Sequence, residues 1–200
     1  MILKRLFDIC LAIFLLILLS PVFIILSLWI VFDSRGGVFY TQTRVGKNKK
    51  PFSIYKFRSM RPGADAGGFL TIGRRDGRVT RAGYFLRKSK LDELPQLFNI
   101  LAGHMSFVGP RPEVEKFVAA YNEEQLQVLS IRPGLTDYAS LEYINEEELL
   151  GNSNNPENTY ISEIMPAKLL LNRRYMRERS FWGDIVILFR TAAGIARRKK

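Results

Sequence analysis

The stretch ICLAIFLLILLSPVFIILSLWIVF, Ile9 to Phe32, is a run of 24 uncharged residues with Ser20-Pro21 near its middle. As one helix at ~1.5 Å per residue it reaches about 36 Å, and a bilayer core is roughly 30 Å thick. Length alone therefore reads as a membrane span. Proline argues otherwise. Pro21 has no N–H to donate, and its ring clashes with the carbonyl four residues back, at Ile17, so the helix must kink. The Ser20 hydroxyl can bond a carbonyl freed by that kink. Two arms of about 18 Å each are too short to cross separately, but they could dip into one leaflet and return. Lys4 and Arg5 precede the run, and Arg35, Arg44, Lys47, Lys49 and Lys50 follow it. Basic residues on both sides suit two cytoplasmic ends. A plain span, favoured by the heavier C-terminal flank, stays open beside the re-entrant reading. A cleaved signal peptide is excluded, because the run is too long and no small-x-small site follows Phe32.

Beyond the run, 168 residues (33–200) remain, enough for one domain with a modest core. The formal net charge of +11 calls for an anionic partner: nucleic acid, a phospholipid surface or a phosphorylated substrate. The single cysteine, Cys10, lies within the apolar run, so no intramolecular disulfide or thiol metal cluster can form. The single histidine, His104, excludes a multi-histidine metal site. No nucleophile-elbow motif supports a Ser-His-Asp triad, and neither G-x-G-x-x-G nor a P-loop occurs.

Segments Val38 to Gln42 and Phe52 to Phe57, separated by Gly46 to Pro51, predict a short β-hairpin. Residues 61–78 carry five glycines, with Gly83 just beyond, and read as a mobile loop. Leu91, Leu94, Leu97, Phe98 and Leu101 recur at helical spacing and predict a buried helix face. A second amphipathic helix is expected over Glu113 to Val128, and Asn152 to Asn158 reads as a polar loop. Ser162 to Arg179 is expected to be helical, broken or begun near Pro166. Phe181, Trp182, Ile185, Val186, Leu188 and Phe189, followed by Arg190 and the tail Arg197 to Lys200, predict an interfacial helix.

Chemistry concentrates between Arg74 and Arg111. Seven cations (Arg74, Arg75, Arg78, Arg81, Arg87, Lys88, Lys90) fall within 17 residues, directly ahead of Leu91-Asp92-Glu93-Leu94-Pro95-Gln96. Proline is comfortable in a helix's first turn, so Pro95 puts a helix start near Asp92, with Asp92 as its N-cap. Paired carboxylates among cations suit phosphate chemistry with a divalent ion. Routine capping beside a solvated basic face is the competing account. In Ser106-Phe107-Val108-Gly109-Pro110-Arg111-Pro112, two prolines bracket Arg111 and present its planar fork to a phosphate or base edge. A structural turn with a surface ion pair is the alternative there. Arg132-Pro133-Gly134-Leu135-Thr136 repeats the device.

Taken in order, these motifs resemble the monotopic phosphoglycosyl transferases, bacterial sugar transferases that begin surface glycan assembly. The resemblance runs nearly end to end. It rests on Lys4-Arg5-Leu6-Phe7-Asp8, the Ser20-Pro21 break, Tyr55-Lys56-Phe57-Arg58-Ser59-Met60, Leu86 to Leu97, Met105 to Pro112 and Arg132 to Thr136. It implies a mainly helical α/β fold: a re-entrant membrane helix-break-helix over residues 1–35, then a cytoplasmic catalytic domain over 36–200 with a β-hairpin and amphipathic interfacial helices. The implied location is the cytoplasmic face of the bacterial inner membrane. The implied activity moves a phospho-sugar from a UDP-sugar to undecaprenyl phosphate, releases UMP and requires Mg²⁺. The family's dyad falls on Asp92, the attacking carboxylate, and Glu93, which assists through metal or proton handling. Lys56, Arg58, Arg87 and Arg111 match positions suited to phosphate or nucleotide contact. The resemblance implies no nucleic-acid partner and leaves a homo-oligomer open.

Three departures from the family pattern stand out. His104 and Asn172 occupy positions where aspartate is common, and Asp137-Tyr138-Ala139-Ser140 replaces the usual segment after Thr136, so sugar specificity cannot be inherited. A membrane-tethered nucleic-acid binder lacks a reading helix or stacking platform, and a non-catalytic scaffold leaves Asp92-Glu93 unexplained. UMP release from UDP-sugars separates enzyme from both.

Overall fold

Pro21 makes the first bend in the chain. The computed structural model describes residues 2–64, 76–143 and 145–197. In it helix α1 (Ile2–Leu18) meets helix α2 (Ser20–Asp33) at 62°. The Ile17 carbonyl, which Pro21 leaves without a helical donor, instead accepts from the Ser20 hydroxyl at 2.8 Å. Leu19 N–H still donates to Leu15 O, and Phe23 N–H to Leu19 O, both at 2.9 Å. The helix is therefore kinked rather than severed. Among the described residues no single helix is long and apolar enough to cross a membrane, whereas the bent pair together meets that length and composition. Its outer surface is apolar: Phe14, Ile17, Leu18, Ile24, Ile25 and Phe32 are all exposed.

The inner face of α1 is bolted to the rest of the chain by charge. Asp8 is buried and accepts from the Ser106 hydroxyl at 2.8 Å and the Phe107 N–H at 3.2 Å. Arg5 donates to the carbonyls of Ile100 and Leu101 at 2.7 and 3.1 Å. Lys4 donates to Val108 O at 3.0 Å and pairs with buried Asp184. Lys4 and Arg5, expected as a basic flank of the apolar run, are committed to backbone and carboxylate inside the protein. Burying a charge is costly unless it is hydrogen-bonded, and each of these charges has such partners.

The predicted hairpin forms. Strands β1 (Phe39–Val45) and β2 (Pro51–Phe57) pair antiparallel, Phe39 opposite Phe57 and Val45 opposite Pro51. Helix α3 (Arg81–Ser89) begins at Thr80, whose hydroxyl accepts from Gly83 N–H at 3.0 Å. Gly83 has to be glycine, because a Cβ would collide with the Ser59 carbonyl. The chain then turns through Lys90, at φ 57°, into a 3₁₀ turn over Leu91–Glu93, before helix α4 (Gln96–Leu101). This corrects the expected N-cap. Pro95 holds the cap position of α4, and Asp92 sits inside the preceding turn, capping nothing. Of the predicted buried face, Leu97 is buried, whereas Phe98 is turned outward against Phe23 of α2.

Strand β3 (Ser106–Val108) pairs in parallel with β4 (Gly134–Thr136), Val108 opposite Thr136. The helix expected over Glu113 to Val128 is not continuous. Helices α5 (Glu115–Val118) and α6 (Glu123–Leu126) are single turns, separated where Asn122 starts α6 with a capping box to Gln125. Short helices α7 (Tyr138–Glu142), α8 (Glu146–Gly151) and α9 (Pro156–Thr159) follow. A π-helical turn over Tyr160–Ile164 runs into α10 (Met165–Glu178), with Pro166 in its first turn as expected. Helix α11 (Phe181–Arg197) closes the chain, burying Asp184 and Ile187 while Trp182 and Phe189 stay exposed. The glycine-rich segment at 65–75, with Arg74 and Arg75, lies outside the described residues, as does the tail at 198–200.

The main core joins Ala12 of α1, Phe52 and Ile54 of β2, Leu97 and Ile100 of α4, Phe107 of β3, Tyr175 of α10 and Ile187 of α11. It fixes β3–β4 against the kinked pair. Where β3 ends, the backbones of Gly109 and Gly134 approach too closely for any side chain. Overpacked sites typically cost about 1–3 kcal/mol. Gly134→Ala should reach the upper end of that range and lower the unfolding temperature in detergent, whereas alanine at Gly77, where a Cβ meets nothing within 4 Å, should leave it within a degree or two.

Candidate active site

The turn after α3 and the Pro-Arg-Pro segment after β3 bring three sequence-predicted residues into contact. Arg111 donates from both terminal nitrogens to Glu93, Nη1 to Oε2 at 3.3 Å and Nη2 to Oε1. Lys56 on β2 donates to the same Oε1 at 3.1 Å. Pro110 and Pro112 hold the Arg111 backbone extended, and its N–H donates to Asp137 at 3.3 Å. Glu93 is thus saturated. Its neighbour is not: Asp92 is only 5% exposed, and its Oδ1 is buried without a hydrogen-bond partner. Gln96, four residues on, likewise has its Nε2 buried and unpartnered. Buried polar atoms without partners are rare enough to point to a role beyond structure.

The two carboxyls are driven apart in acidity. Burial works against the charge of both. At Glu93 the field of Arg111, then Lys56 and Lys90, overcomes burial and holds the carboxyl well below its ordinary value. At Asp92 burial outweighs the pull of Lys56, and the adjacent Glu93 charge adds to it, so its pKa is raised. Asp92 therefore lacks the support for its charged form that the expected N-cap position would give. Lys56 is itself pushed down by burial, against the opposing pull of Glu93 and Asp92. Environments that split two neighbouring acids in this way are a signature of assigned chemical roles.

Asp92 and Glu93 open onto a cavity of about 300 Å³. Arg87, predicted as a phosphate contact, lines it, as do Arg61, Arg78 and Lys90. Arg58 lines it too, but its guanidinium is turned to the end of α2, donating to the carbonyls of Ile30 at 3.3 Å, Ser34 at 2.7 Å and Arg35. Arg58 therefore caps the C-terminal end of α2. Arg132 is not in this wall and holds the Gly103 carbonyl at 2.9 Å. The structure adds residues that the sequence did not single out. Tyr160 donates to Glu113, and Lys168 donates to Glu146 at 2.8 Å, all along the same cavity. Arg44, expected as a basic flank, faces Glu113 at 3.6 Å and also lines it. Of the departures, His104 stacks against Phe52 away from the cavity, and Asn172 lies buried on α10 with its Oδ1 unpartnered.

A buried, unpaired carboxylate facing a cation-rimmed cavity is an arrangement suited to an anionic, phosphate-bearing ligand. Comparison with known proteins agrees. The chain belongs to the bacterial sugar transferase family, whose model matches residues 1–198. It is 37% identical over 196 residues to the UDP-glucose:undecaprenyl-phosphate glucose-1-phosphate transferase of Escherichia coli K12, an alignment covering 94% of this chain and 39% of that one. An Aeromonas hydrophila protein, UDP-N-acetylgalactosamine-undecaprenyl-phosphate N-acetylgalactosaminephosphotransferase, is 36% identical over 191 residues, covering 94% and 42%. The exopolysaccharide production protein PSS of Rhizobium leguminosarum is 41% identical over 152 residues, covering 70% and 74%. The chain thus spans about two fifths of the length of the first two.

The Glu93–Arg111 pair can be tested by stability. Removing one partner of a buried pair costs about 3–5 kcal/mol because it leaves the other charge uncompensated. Arg111→Met should cost less, about 1.5–3 kcal/mol, since the Arg111 side chain is 31% exposed and Lys56 remains. Combining it with Glu93→Gln should recover at least half of the loss. Denaturant unfolding of the four proteins measures the coupling; simple additivity would show that the pair is not coupled.

Proposed function

We propose that the chain is a UDP-sugar:undecaprenyl-phosphate sugar-1-phosphate transferase working through a covalent intermediate on Asp92. The observation that carries this reading is the unpartnered Asp92 carboxylate beside a Glu93 already neutralised by Arg111 and Lys56. Relatives whose names specify UDP-sugars and undecaprenyl phosphate support the substrate class.

In this reading an Asp92 carboxylate oxygen attacks the sugar-linked phosphorus of the UDP-sugar. The bond from that phosphorus to the bridging oxygen breaks, and UMP leaves with the electron pair. The phosphate oxygen of the polyprenyl acceptor then attacks the same phosphorus, releasing Asp92 and forming a polyprenyl diphosphate sugar. Desolvation raises the energy of the Asp92 anion and favours its attack, while Lys56, Arg87, Lys90 and Arg111 offset the repulsion between carboxylate and diphosphate. Glu93, held ionised, fixes Arg111 and Lys56 at the cavity floor.

Magnesium fits this residue set. Among the described residues no group of three acidic, histidine or cysteine side chains could hold a metal unaided. Mg²⁺ is commonly held by one or two carboxylates together with substrate phosphates, and the Oδ1 of Asp92, which has no hydrogen-bond partner, would supply that share, while Glu93 stays with Arg111 and Lys56. When bound, the ion would neutralise charge on the diphosphate.

The kinked pair is read here as re-entrant, with both ends cytoplasmic and α11 lying at the inner-membrane surface. With the exposed Cys10 first replaced by serine, cysteines placed near Met1 and Gly36 should both escape an impermeant thiol reagent applied outside intact cells. Labelling of the N-terminal site alone would instead establish a spanning helix. Leucine and alanine in place of Pro21 and Ser20 should shift the balance toward spanning, since they restore the hydrogen bond to Ile17.

Activity is tested by screening UDP-sugars with undecaprenyl phosphate for UMP. One sugar should support turnover with ping-pong kinetics. Asp92→Asn should lower turnover at least a thousandfold while unfolding as the parent does, and Glu93→Gln should be severely impaired. Near-normal turnover by Asp92→Asn would rule out covalent catalysis at this residue and favour direct in-line transfer.

A further inference from the structure

A second cavity of about 590 Å³ lies on the other side of Glu93 and Arg111. Its walls are mostly apolar and come from elements remote in sequence: Leu15 of α1, Leu97 of α4, Leu135 of β4, Leu141 of α7, and Leu188 and Ala192 of α11. It shares Lys90, Glu93, Arg111, Glu146 and Lys168 with the polar cavity. The two spaces therefore meet at a charged waist, with the diphosphate-sized polar chamber on one side and a greasy chamber on the other. On the apolar chamber's rim Arg111 and Lys168 pair with Glu93 and Glu146, and Lys88 and Lys90 leave the net charge positive. Leu15 lies on α1 between Phe14 and Ile17, which face outward on the apolar surface of the kinked pair.

We propose that this chamber holds the phosphate-proximal isoprene units of the polyprenyl phosphate acceptor, with its phosphate at the Lys90–Arg111 waist. The inference rests on the transferase reading above and adds to it the place where the lipid is held. One amphipathic occupant matches both features: an apolar chain for the walls and an anion for the rim. A soluble nucleotide would leave the walls unmatched, and a neutral lipid would leave the rim's net positive charge unmatched. Pockets of roughly 300–1,000 Å³ suit drug-sized ligands, so only the first part of a long prenyl chain fits. The remainder runs out between α1 and α11 along the apolar face. Recognition is then graded by chain length up to the capacity of the chamber, and the acceptor phosphate reaches the waist from the side opposite the UDP-sugar.

The test is the dependence of acceptor KM on prenyl chain length, measured with the full chain in detergent or nanodiscs. The acceptors are a one-unit prenyl phosphate, a three-unit one and undecaprenyl phosphate. In the wild type KM should fall at least tenfold from one unit to three, and then little further. Ala192→Trp, an exposed position on the α11 wall, should raise KM for the three-unit and undecaprenyl acceptors at least tenfold while changing that for the one-unit acceptor less than twofold. Leu141→Trp should do the same from the opposite wall. The inference is overturned if both variants keep wild-type KM for the long acceptors, or if every chain length suffers equally. A wild-type protein that releases no UMP with any UDP-sugar and acceptor would instead refute the transferase reading, a result separate from either of those.

Discussion

Everything at the site depends on how Arg111 and Lys56 are committed. Both bind Glu93, and by binding Glu93 they leave Asp92 alone. Two adjacent carboxyls in the same buried turn would otherwise be near equals, each partly protonated by the charge of the other. Arg111 breaks that symmetry. It fixes Glu93 as an anion and keeps the cations in place, while Asp92 faces the cavity desolvated and without a hydrogen-bond partner. The rest of the fold serves that asymmetry. The hairpin carries Lys56, the Pro-Arg-Pro segment carries Arg111, and the left-handed turn at Lys90 swings the Asp92-Glu93 pair between them.

The kinked helix pair is the second constraint, and it reaches the site through backbone carbonyls rather than by direct contact. Arg58 caps the end of α2 and follows Phe57, the last residue of the strand that carries Lys56. Arg5 caps α4 directly downstream of the Asp92-Glu93 turn, and Asp8 receives both donors at the start of β3, three residues before Arg111's own segment begins. The position of the kinked pair and the geometry at the carboxylates are thus mechanically linked. This also explains why the cluster Lys4-Arg5-Asp8 sits in an otherwise apolar helix.

Local signals in the sequence were read well where one residue dictates the backbone. Pro21 and Ser20 announced the kink down to the Ile17 carbonyl that Ser20 satisfies, and the β-branched and aromatic runs around Gly46 announced the hairpin. Signals that depend on tertiary partners were read poorly. Asp92 looked like a cap because Pro95 follows it, yet Lys90 takes a left-handed conformation and closes a separate 3₁₀ turn. Lys4, Arg5 and Arg44 read as basic flanks of the apolar run and Arg58 as a phosphate contact, since nothing local tells a cation destined for a carbonyl from one destined for solvent or a ligand. The helix expected over Glu113 to Val128 has apolar periodicity, but Asn122 supplies a stronger local start and divides it. Tyr160, Glu113, Glu146 and Lys168 meet along the cavity from separate elements, and no short motif encodes their proximity.

The central claim is that Asp92 alone of the pair forms a bond to the substrate. Intact-mass and peptide mass spectrometry of the protein, quenched in acid after incubation with its UDP-sugar and Mg²⁺ without acceptor, tests this most directly. The account predicts a mass increase of one phosphosugar on the peptide containing Asp92, present in the wild type, absent in Asp92→Asn, and discharged when undecaprenyl phosphate is added. An unmodified protein that still turns over when acceptor is supplied, or an adduct mapping to Glu93, would contradict it.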